Sequence, residues 1–231
     1  MNLVDFVRSL PKHWATAPIY AKGAVMPNGK KAEGKSPLGR AAHNELSPEL
    51  TAQYIENAPE TFTAVGVYSG MRSGGLVIFD VDANLGAIEE KWGEDLEKAP
   101  RITSPKNNAA KFLFVVPDRD RLQVADLSHA AAGNEGWEVL WGRQGLLFGA
   151  YQKGGEYTFH GDPNKIPSAP EWLLERMREQ HRKLNEKGTV ARLKDTRYRN
   201  RSREEKIEIA RSCLSVIEPR GANSEQFWWE I

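Results

Sequence analysis

The chain has 231 residues, 40% of them hydrophobic and 27% charged, which is enough for one large domain or for one domain and part of a second. Its net charge is +1, which is not typical of a protein that binds polyanions over its whole surface. Any nucleic-acid binding must therefore depend on local basic clusters. Its single cysteine, Cys213, excludes an intramolecular disulfide and a cysteine-based zinc site, and it indicates a reducing, cytoplasmic compartment.

The N-terminal part is predicted to form two helices and two strands. Apolar residues spaced three and four apart predict a first helix that ends before Pro11, and Asp5 and Arg8 within it are incompatible with a signal peptide. Ser47 followed by Pro48 is typical of the start of a second helix. The four elements are a helix over 3–10, a strand over 14–20, a helix over 47–57 and a strand over 63–68. No run is apolar enough to predict a membrane partner.

The segment 26–40, between the first strand and the second helix, is rich in proline, glycine and lysine. This composition predicts an exposed, mobile loop. Lys35 in this loop could contact a phosphate group, or it could be a solvated lysine, which is the commoner case. Both interpretations stay open at this point.

The most hydrophobic run of the chain, 75–79, leads directly into Asp80 and Asp82. Side chains in a strand alternate between its two faces, so both carboxylates are predicted to point to the same side. Two such oxygen ligands could share a divalent cation. The alternative is a local structural role, in which Asp82 caps the helix that follows.

The turn 69–75 joins the strand over 63–68 to the acidic strand, and its shortness predicts that these two strands pair in antiparallel fashion. Arg72 in this turn could reach a phosphate group or be solvated. The remaining elements are a helix over 85–96 and strands over 101–103, 112–116, 137–141, 145–150 and 157–159. Because helices and strands interleave without a βαβ repeat, the predicted fold class is α+β, with a mixed, largely antiparallel sheet flanked by helices.

A third acid, Glu138, lies within an apolar strand, where a glutamate is costly unless it faces solvent, a partner or a metal ion. An acid-x-acid pair on one strand and a lone acid on another can hold two divalent ions for phosphoryl or nucleotidyl transfer. The five histidines show none of the spacings typical of metal sites, so no histidine ligand is expected.

The C-terminal part is predicted to be helical and charged. Apolar residues from Trp172 to Leu184 predict a helix that runs to about Lys187 and ends at Gly188. A basic stretch follows, which could track a DNA backbone with salt-sensitive affinity or could be a solvated linker. Its candidate DNA-binding residues are Arg192, Lys194, Arg197, Arg199 and Arg201.

Four short motifs occur in order between Lys35 and Tyr157. They are G-K-S-P at 34–37, G-V-Y-S-G at 66–70 ahead of D-V-D at 80–82, W-E-V-L at 137–140 with Gln144, and G-E-Y at 155–157. Together they resemble the motifs of the bifunctional DNA primase/polymerase domain of the archaeo-eukaryotic primase superfamily. The resemblance covers about residues 10–175.

The resemblance implies a catalytic core built on an RNA-recognition-like sheet, in which Asp80, Asp82 and Glu138 bind two Mg²⁺ or Mn²⁺ ions. The implied activity is template-directed nucleotidyl transfer, as a DNA primase or DNA polymerase in replication. The implied partners are a single-stranded DNA template or primer–template and nucleoside or deoxynucleoside triphosphates. The candidate nucleotide-binding residues are Lys111, Lys35, Arg72, Ser69 and Gln144.

The resemblance also predicts how the chain is divided. The expected parts are a primase–polymerase catalytic domain over 1–170, a helix and basic linker over 171–203, and the start of a helical primase C-terminal domain over 204–231. Ser202 with Glu205 predicts the first helix of that last part. The apolar run 227–231 predicts that the chain continues into a further helical or helicase region.

Lys111 stands where the family has a histidine that contacts the phosphates of the incoming nucleotide. A lysine can also neutralise a triphosphate, but it cannot supply a neutral imidazole for proton transfer.

Two other interpretations compete with the enzyme. One is a catalytically impaired module that binds nucleotides or single-stranded DNA. The other is a haloacid-dehalogenase-like phosphatase, whose D-x-D also ends an apolar strand but which requires a doubly wound domain and a Thr or Val where Asn84 stands.

Overall fold

The computed structural model describes residues 1–38, 46–151 and 153–194, with side chains described as far as residue 186. The chain divides into two compact units, 1–183 and 184–231, and of the second unit only the helical residues 184–194 are described. The helices are α1 (Leu3–Ser9), α2 (Pro48–Asn57), α3 (Leu85–Leu96) and α4 (Glu171–Lys194). The strands are β1 (Thr16–Tyr20), β2 (Phe62–Tyr68), β3 (Leu76–Val81), β4 (Arg101–Thr103), β5 (Ala110–Val115), β6 (Trp137–Leu140), β7 (Gln144–Ala150) and β8 (Glu156–His160).

The eight strands form one curled sheet in the order β1-β2-β7-β8-β4-β5-β3-β6. Neighbouring strands pair in antiparallel fashion throughout this order. The predicted α+β class with a largely antiparallel sheet is therefore confirmed. A doubly wound phosphatase domain needs a parallel sheet, so the phosphatase interpretation is wrong.

Strand β3 is buried on both faces, which explains its unbroken hydrophobic sequence. On one face Leu76 and Ile78 join a core cluster with residues of α1 and α2. On the other face Val77 and Phe79 join a second cluster with residues of α3 and α4. Strand alternation places Asp80 on the same face as Ile78.

The prediction that β2 and β3 pair with each other is wrong. Strand β2 pairs with β1 and β7, whereas β3 pairs with β5 and β6. The segment between them forms a short 3₁₀ helix, Met71–Ser73, flanked by Gly70, Gly74 and Gly75 at positive φ. These glycines permit backbone conformations that turn the chain away from β2 and lead it to the other end of the sheet order.

The first three helices have the predicted positions, and in α2 the side chain of Ser47 accepts a hydrogen bond from the Leu50 amide. Helix α4 is longer than predicted, because it continues through Gly188 to Lys194. A glycine inside a helix costs only about 1 kcal/mol relative to alanine, which good helix formers on either side can offset. None of the described helices combines the length and the apolar character needed to cross a membrane.

Several predictions for the C-terminal part lie outside the described residues. They concern the helix from Ser202 and the apolar run 227–231.

Gly149 lies where β7 passes very close to β2, and this contact is testable. Its φ is +102°, and an added Cβ would meet the Thr63 carbonyl and lie 2.6 Å from Ala64 Cα. Gly154 has a similar φ of +100°, but an added Cβ would meet nothing within 4 Å. We expect Gly149→Ala to lower the free energy of unfolding by about 1–3 kcal/mol more than Gly154→Ala, because only the first variant must push strands apart. Urea denaturation of both variants measures the difference, and equal losses would contradict the close approach.

Candidate active site

Three charged side chains form one row across three adjacent strands, close to the C-terminal end of β3 and the N-terminal ends of β5 and β6. Asp80 of β3 lies directly opposite Lys111 of β5 on one side and Glu138 of β6 on the other. Residues that pair in this way point to the same face of the sheet. The backbone register therefore places two acids and one lysine side by side.

Lys111 forms a buried ion pair with Asp80. Its Nζ donates a hydrogen bond to Asp80 Oδ2, and the two side chains are only 13% and 10% exposed. Burial raises the pKa of Asp80, while the charge and hydrogen bond of Lys111 lower it, and the net result is a pKa above the usual value.

Asp82 follows the end of β3 and does not cap the next helix. The N-cap of α3 is Asn84, at φ +60°, and it makes no side-chain capping hydrogen bond. The Asp82 carboxylate instead accepts a hydrogen bond of 2.7 Å from Lys106 Nζ, and its other oxygen lies 3.2 Å from His129 Nε2. Burial works to raise the pKa of Asp82, but the hydrogen bond and charge of Lys106 outweigh it and hold this pKa below its usual value.

Glu138 is paired with a cation from the β6–β7 turn. Arg143 Nη1 donates a hydrogen bond of 2.9 Å to Glu138 Oε2. Ser69, which is fully buried, fixes the backbone of this arginine: its Oγ donates to Arg143 O at 2.8 Å and accepts from Arg143 N at 3.2 Å. The structure thus places Ser69 behind the turn, where it positions Arg143.

Three side chains in this region have the donor atoms and spacing of a cation site. One ligand atom each from Asp82, His129 and Glu138 lies within 4.8 Å of the others. Carboxylate oxygens with one imidazole nitrogen are a suitable donor set for a divalent ion. Two of the three predicted acids are in this group, and Asp80 stands beside it with Lys111 as its cation.

A cavity of about 250 Å³ lies over the row. Its charged and polar lining comprises Lys35, Asp80, Lys111, Glu138, Arg143, Gln144 and Tyr157. The structure therefore brings Lys35 and Gln144, which are distant in sequence, to the same cavity as the acids. Burial raises the pKa of Tyr157, so its hydroxyl is neutral at physiological pH.

Arg72 and Ser69 are not among the described residues that line this cavity. The Arg72 guanidinium lies over the Tyr68 ring, 5.8 Å from its centroid. The side chains of Arg192, Lys194, Arg197, Arg199 and Arg201 lie outside the described part of the chain.

A larger cavity, of about 530 Å³, lies on the opposite face of the sheet. It is lined by Glu89, Arg101, Phe112 and His160, among others. Phe112 follows Lys111 in β5, so strand alternation points it away from Asp80. This second cavity is therefore separate from the row of acids.

Three residues that contact the acids, Lys106, His129 and Arg143, were not predicted from the sequence. His129 lies in the segment 117–136, which has neither a helical nor a strand pattern, and Arg143 lies in a turn. The partner of His129, Asp82, is far away in sequence. The contact of Arg143 with Glu138 depends on the geometry of the turn between β6 and β7. For Arg143, the available signal was that a positive residue follows Glu138 closely in the sequence.

The buried ion pair yields a pH-dependent prediction. In Lys111→Met, Asp80 loses its counter-charge, so its folded-state pKa rises further above the unfolded value of about 3.9. We expect a loss of about 3 kcal/mol in unfolding free energy at neutral pH. The loss should shrink as the pH falls toward 4, because Asp80 then becomes protonated in the folded state of both proteins and no longer needs a counter-charge. Urea denaturation in EDTA between pH 4 and 8 measures it.

Lys98→Met is the matched control for that experiment. The Lys98 side chain is 66% exposed, so its replacement should change stability by no more than about 0.5 kcal/mol at any pH. A loss in Lys111→Met that does not vary with pH would show that the ion pair with Asp80 does not cause it.

Comparison with known proteins agrees with this geometry. Residues 8–172, more than half of the chain, match the family described as "Bifunctional DNA primase/polymerase, N-terminal". No curated protein matches the chain closely enough to count as a relative. The matched region contains the acids, the lysine opposite Asp80 and the whole lining of the cavity over them. The chain therefore belongs to the bifunctional DNA primase/polymerase family, a family of primase- and polymerase-type nucleotidyltransferases.

Proposed function

We propose that this protein carries out metal-dependent, template-directed nucleotidyl transfer, with Mg²⁺ or Mn²⁺ as its cofactor. In this reaction a primer 3′-hydroxyl attacks the α-phosphate of a bound nucleoside or deoxynucleoside triphosphate, and pyrophosphate leaves. The partners would be a single-stranded DNA template or a primer–template. The observation that supports the proposal most strongly is the row of Lys111, Asp80 and Glu138 under one cavity.

The charges around the cavity suit a triphosphate that arrives with a cation. Lys35, Lys111 and Arg143 contribute three positive charges to its lining, and Asp80 and Glu138 contribute two negative ones. Positive side chains neutralise phosphate oxygens, and carboxylates bind the divalent ions that accompany them. The cavity, at about 250 Å³, is smaller than typical sites for whole small-molecule ligands, so we assign it to the phosphate end of the nucleotide.

Asp82, His129 and Glu138 are the residues that would hold a divalent ion, because their donor atoms converge. When bound, such an ion supplies activation of the attacking hydroxyl and stabilisation of charge on the phosphate oxygens. Arg143 is 47% exposed, so it can leave Glu138 and turn toward a phosphate at little cost. Ser69 limits this movement to the side chain, because it fixes the Arg143 backbone.

The acids provide the direct test. We expect Glu138→Gln and Asp82→Asn to lower the rate of primer extension by at least about two to three orders of magnitude, the typical cost of removing one preorganised charge. Both variants should keep the wild-type circular dichroism spectrum. Glu135→Gln is the matched control, since Glu135 is an exposed acid on the same segment that pairs with Lys91. The measurement is extension of a labelled primer on a DNA template with Mg²⁺ or Mn²⁺.

Unimpaired extension by Glu138→Gln would overturn the proposal. Lys111 stands at the family's histidine position and cannot supply an imidazole for proton transfer. This observation favours a second candidate function, a module that binds nucleotides or single-stranded DNA without catalysis. Nucleotide binding by the wild-type protein with no extension under any of these conditions would favour that module. Primase activity is a separate outcome, which requires short products on an unprimed single strand.

A further inference from the structure

We propose that the side chains of this protein hold a single divalent ion, between Asp82, His129 and Glu138, and that the Lys111 ammonium replaces a second ion at Asp80. The proposal deepens the proposed function, on which it rests. It replaces the two ions predicted from the sequence with one ion and one fixed ammonium, and it adds an imidazole to the ligand set.

The contact of Lys111 with Asp80 is fixed by the fold. The two residues pair directly between β5 and β3, and their side chains are 13% and 10% exposed. Both side chains line the cavity, but little of either is exposed to solvent, so the ion pair is shielded. A divalent ion at Asp80 would have to lie beside a buried ammonium, where the two positive charges repel each other strongly.

The cations beside Asp82 and Glu138 are held much less firmly. Lys106 pairs with Asp82 and Arg143 pairs with Glu138, and these two cationic side chains are 42% and 47% exposed. Asp82 is 37% exposed and Glu138 only 16%, so each carboxylate needs a cation, and a divalent ion that takes the place of the half-exposed lysine or arginine supplies one. Arg143, which lines the cavity, then remains there, where its charge can meet phosphate oxygens.

His129 completes the ligand set of the single ion. Its Nε2 lies 3.2 Å from Asp82 Oδ2, so the imidazole and the carboxylate already face each other. An imidazole favours Mn²⁺ over Mg²⁺, which prefers oxygen ligands and retained water. The site should therefore bind Mn²⁺ more tightly than Mg²⁺.

The test is a Mn²⁺ titration of the full chain without nucleotide, in which electron paramagnetic resonance measures free Mn²⁺. We expect one tightly bound ion in the wild-type protein and two in Lys111→Ala, because removal of the ammonium frees Asp80. Lys98→Ala, which alters an exposed lysine, should keep one. Two tightly bound ions in the wild-type protein would overturn the proposal, and so would a single ion in a folded Lys111→Ala.

The imidazole is tested on the same samples. Pulsed measurements on bound Mn²⁺ should show coupling to a ¹⁴N nucleus in the wild-type protein and none in His129→Gln, with affinity at least about tenfold lower in the variant. His160→Gln is the control, because His160 hydrogen-bonds Thr103 and lines the cavity on the opposite face. Bound wild-type Mn²⁺ without nitrogen coupling would overturn the assignment of His129.

These readouts do not depend on activity. A protein with one nitrogen-coupled ion and no primer extension would contradict the proposed function and support the single-ion site. An active protein with two tightly bound ions would support the proposed function and contradict the single-ion site. If Lys111→Ala does not fold, as its circular dichroism would show, Lys111→Gln takes its place with the same expected result.

Discussion

The site depends on one constraint, which is that an acid lies inside a strand buried on both faces. Asp80 is 7% exposed and belongs to a strand that is buried along its whole length. An isolated carboxylate there would lose several kcal/mol of hydration, so it requires a cation beside it. Register supplies that cation, because the residue opposite Asp80 is Lys111. The fold and the charge of the site are thus set by the same strand pairing.

The curl of the sheet brings the remaining cavity residues to this row. Strand β7 is four places from β3 in the sheet order, yet a Cβ on Gly145 would lie 2.5 Å from Ile78 Cδ1. Glycine at this point lets β7 approach the face that carries Ile78 and Asp80. Gln144, one residue earlier, consequently reaches the cavity. Gly145 therefore affects the lining of the cavity as well as the packing of β7.

Local patterns were sufficient to predict most elements, because helix periodicity, Ser47 as an N-cap and the apolar run before Asp80 are all local signals. The errors have a different origin. Pairing of β2 with β3 was inferred from a short turn, but the glycines at positive φ redirect the chain. His129 and Arg143 were missed because their contacts with Asp82 and Glu138 depend on long-range packing and on the turn that Ser69 holds. The acids were found because an acid in an apolar strand is itself unusual.

The difference between the two kinds of cation at this site has a physical consequence for the proposed reaction. Lys106 and Arg143 are exposed enough to exchange partners, whereas Lys111 is held by register and burial. Under the proposed function, the half-exposed cations would follow phosphate charge as it moves from the nucleotide to pyrophosphate, because their side chains are free to turn toward solvent. A fixed ammonium instead keeps Asp80 neutralised at every stage, with or without ligand. Under the proposed function, Lys111 would neutralise Asp80 and join β5 to β3, while Lys106 and Arg143 would respond to the charge of the substrate.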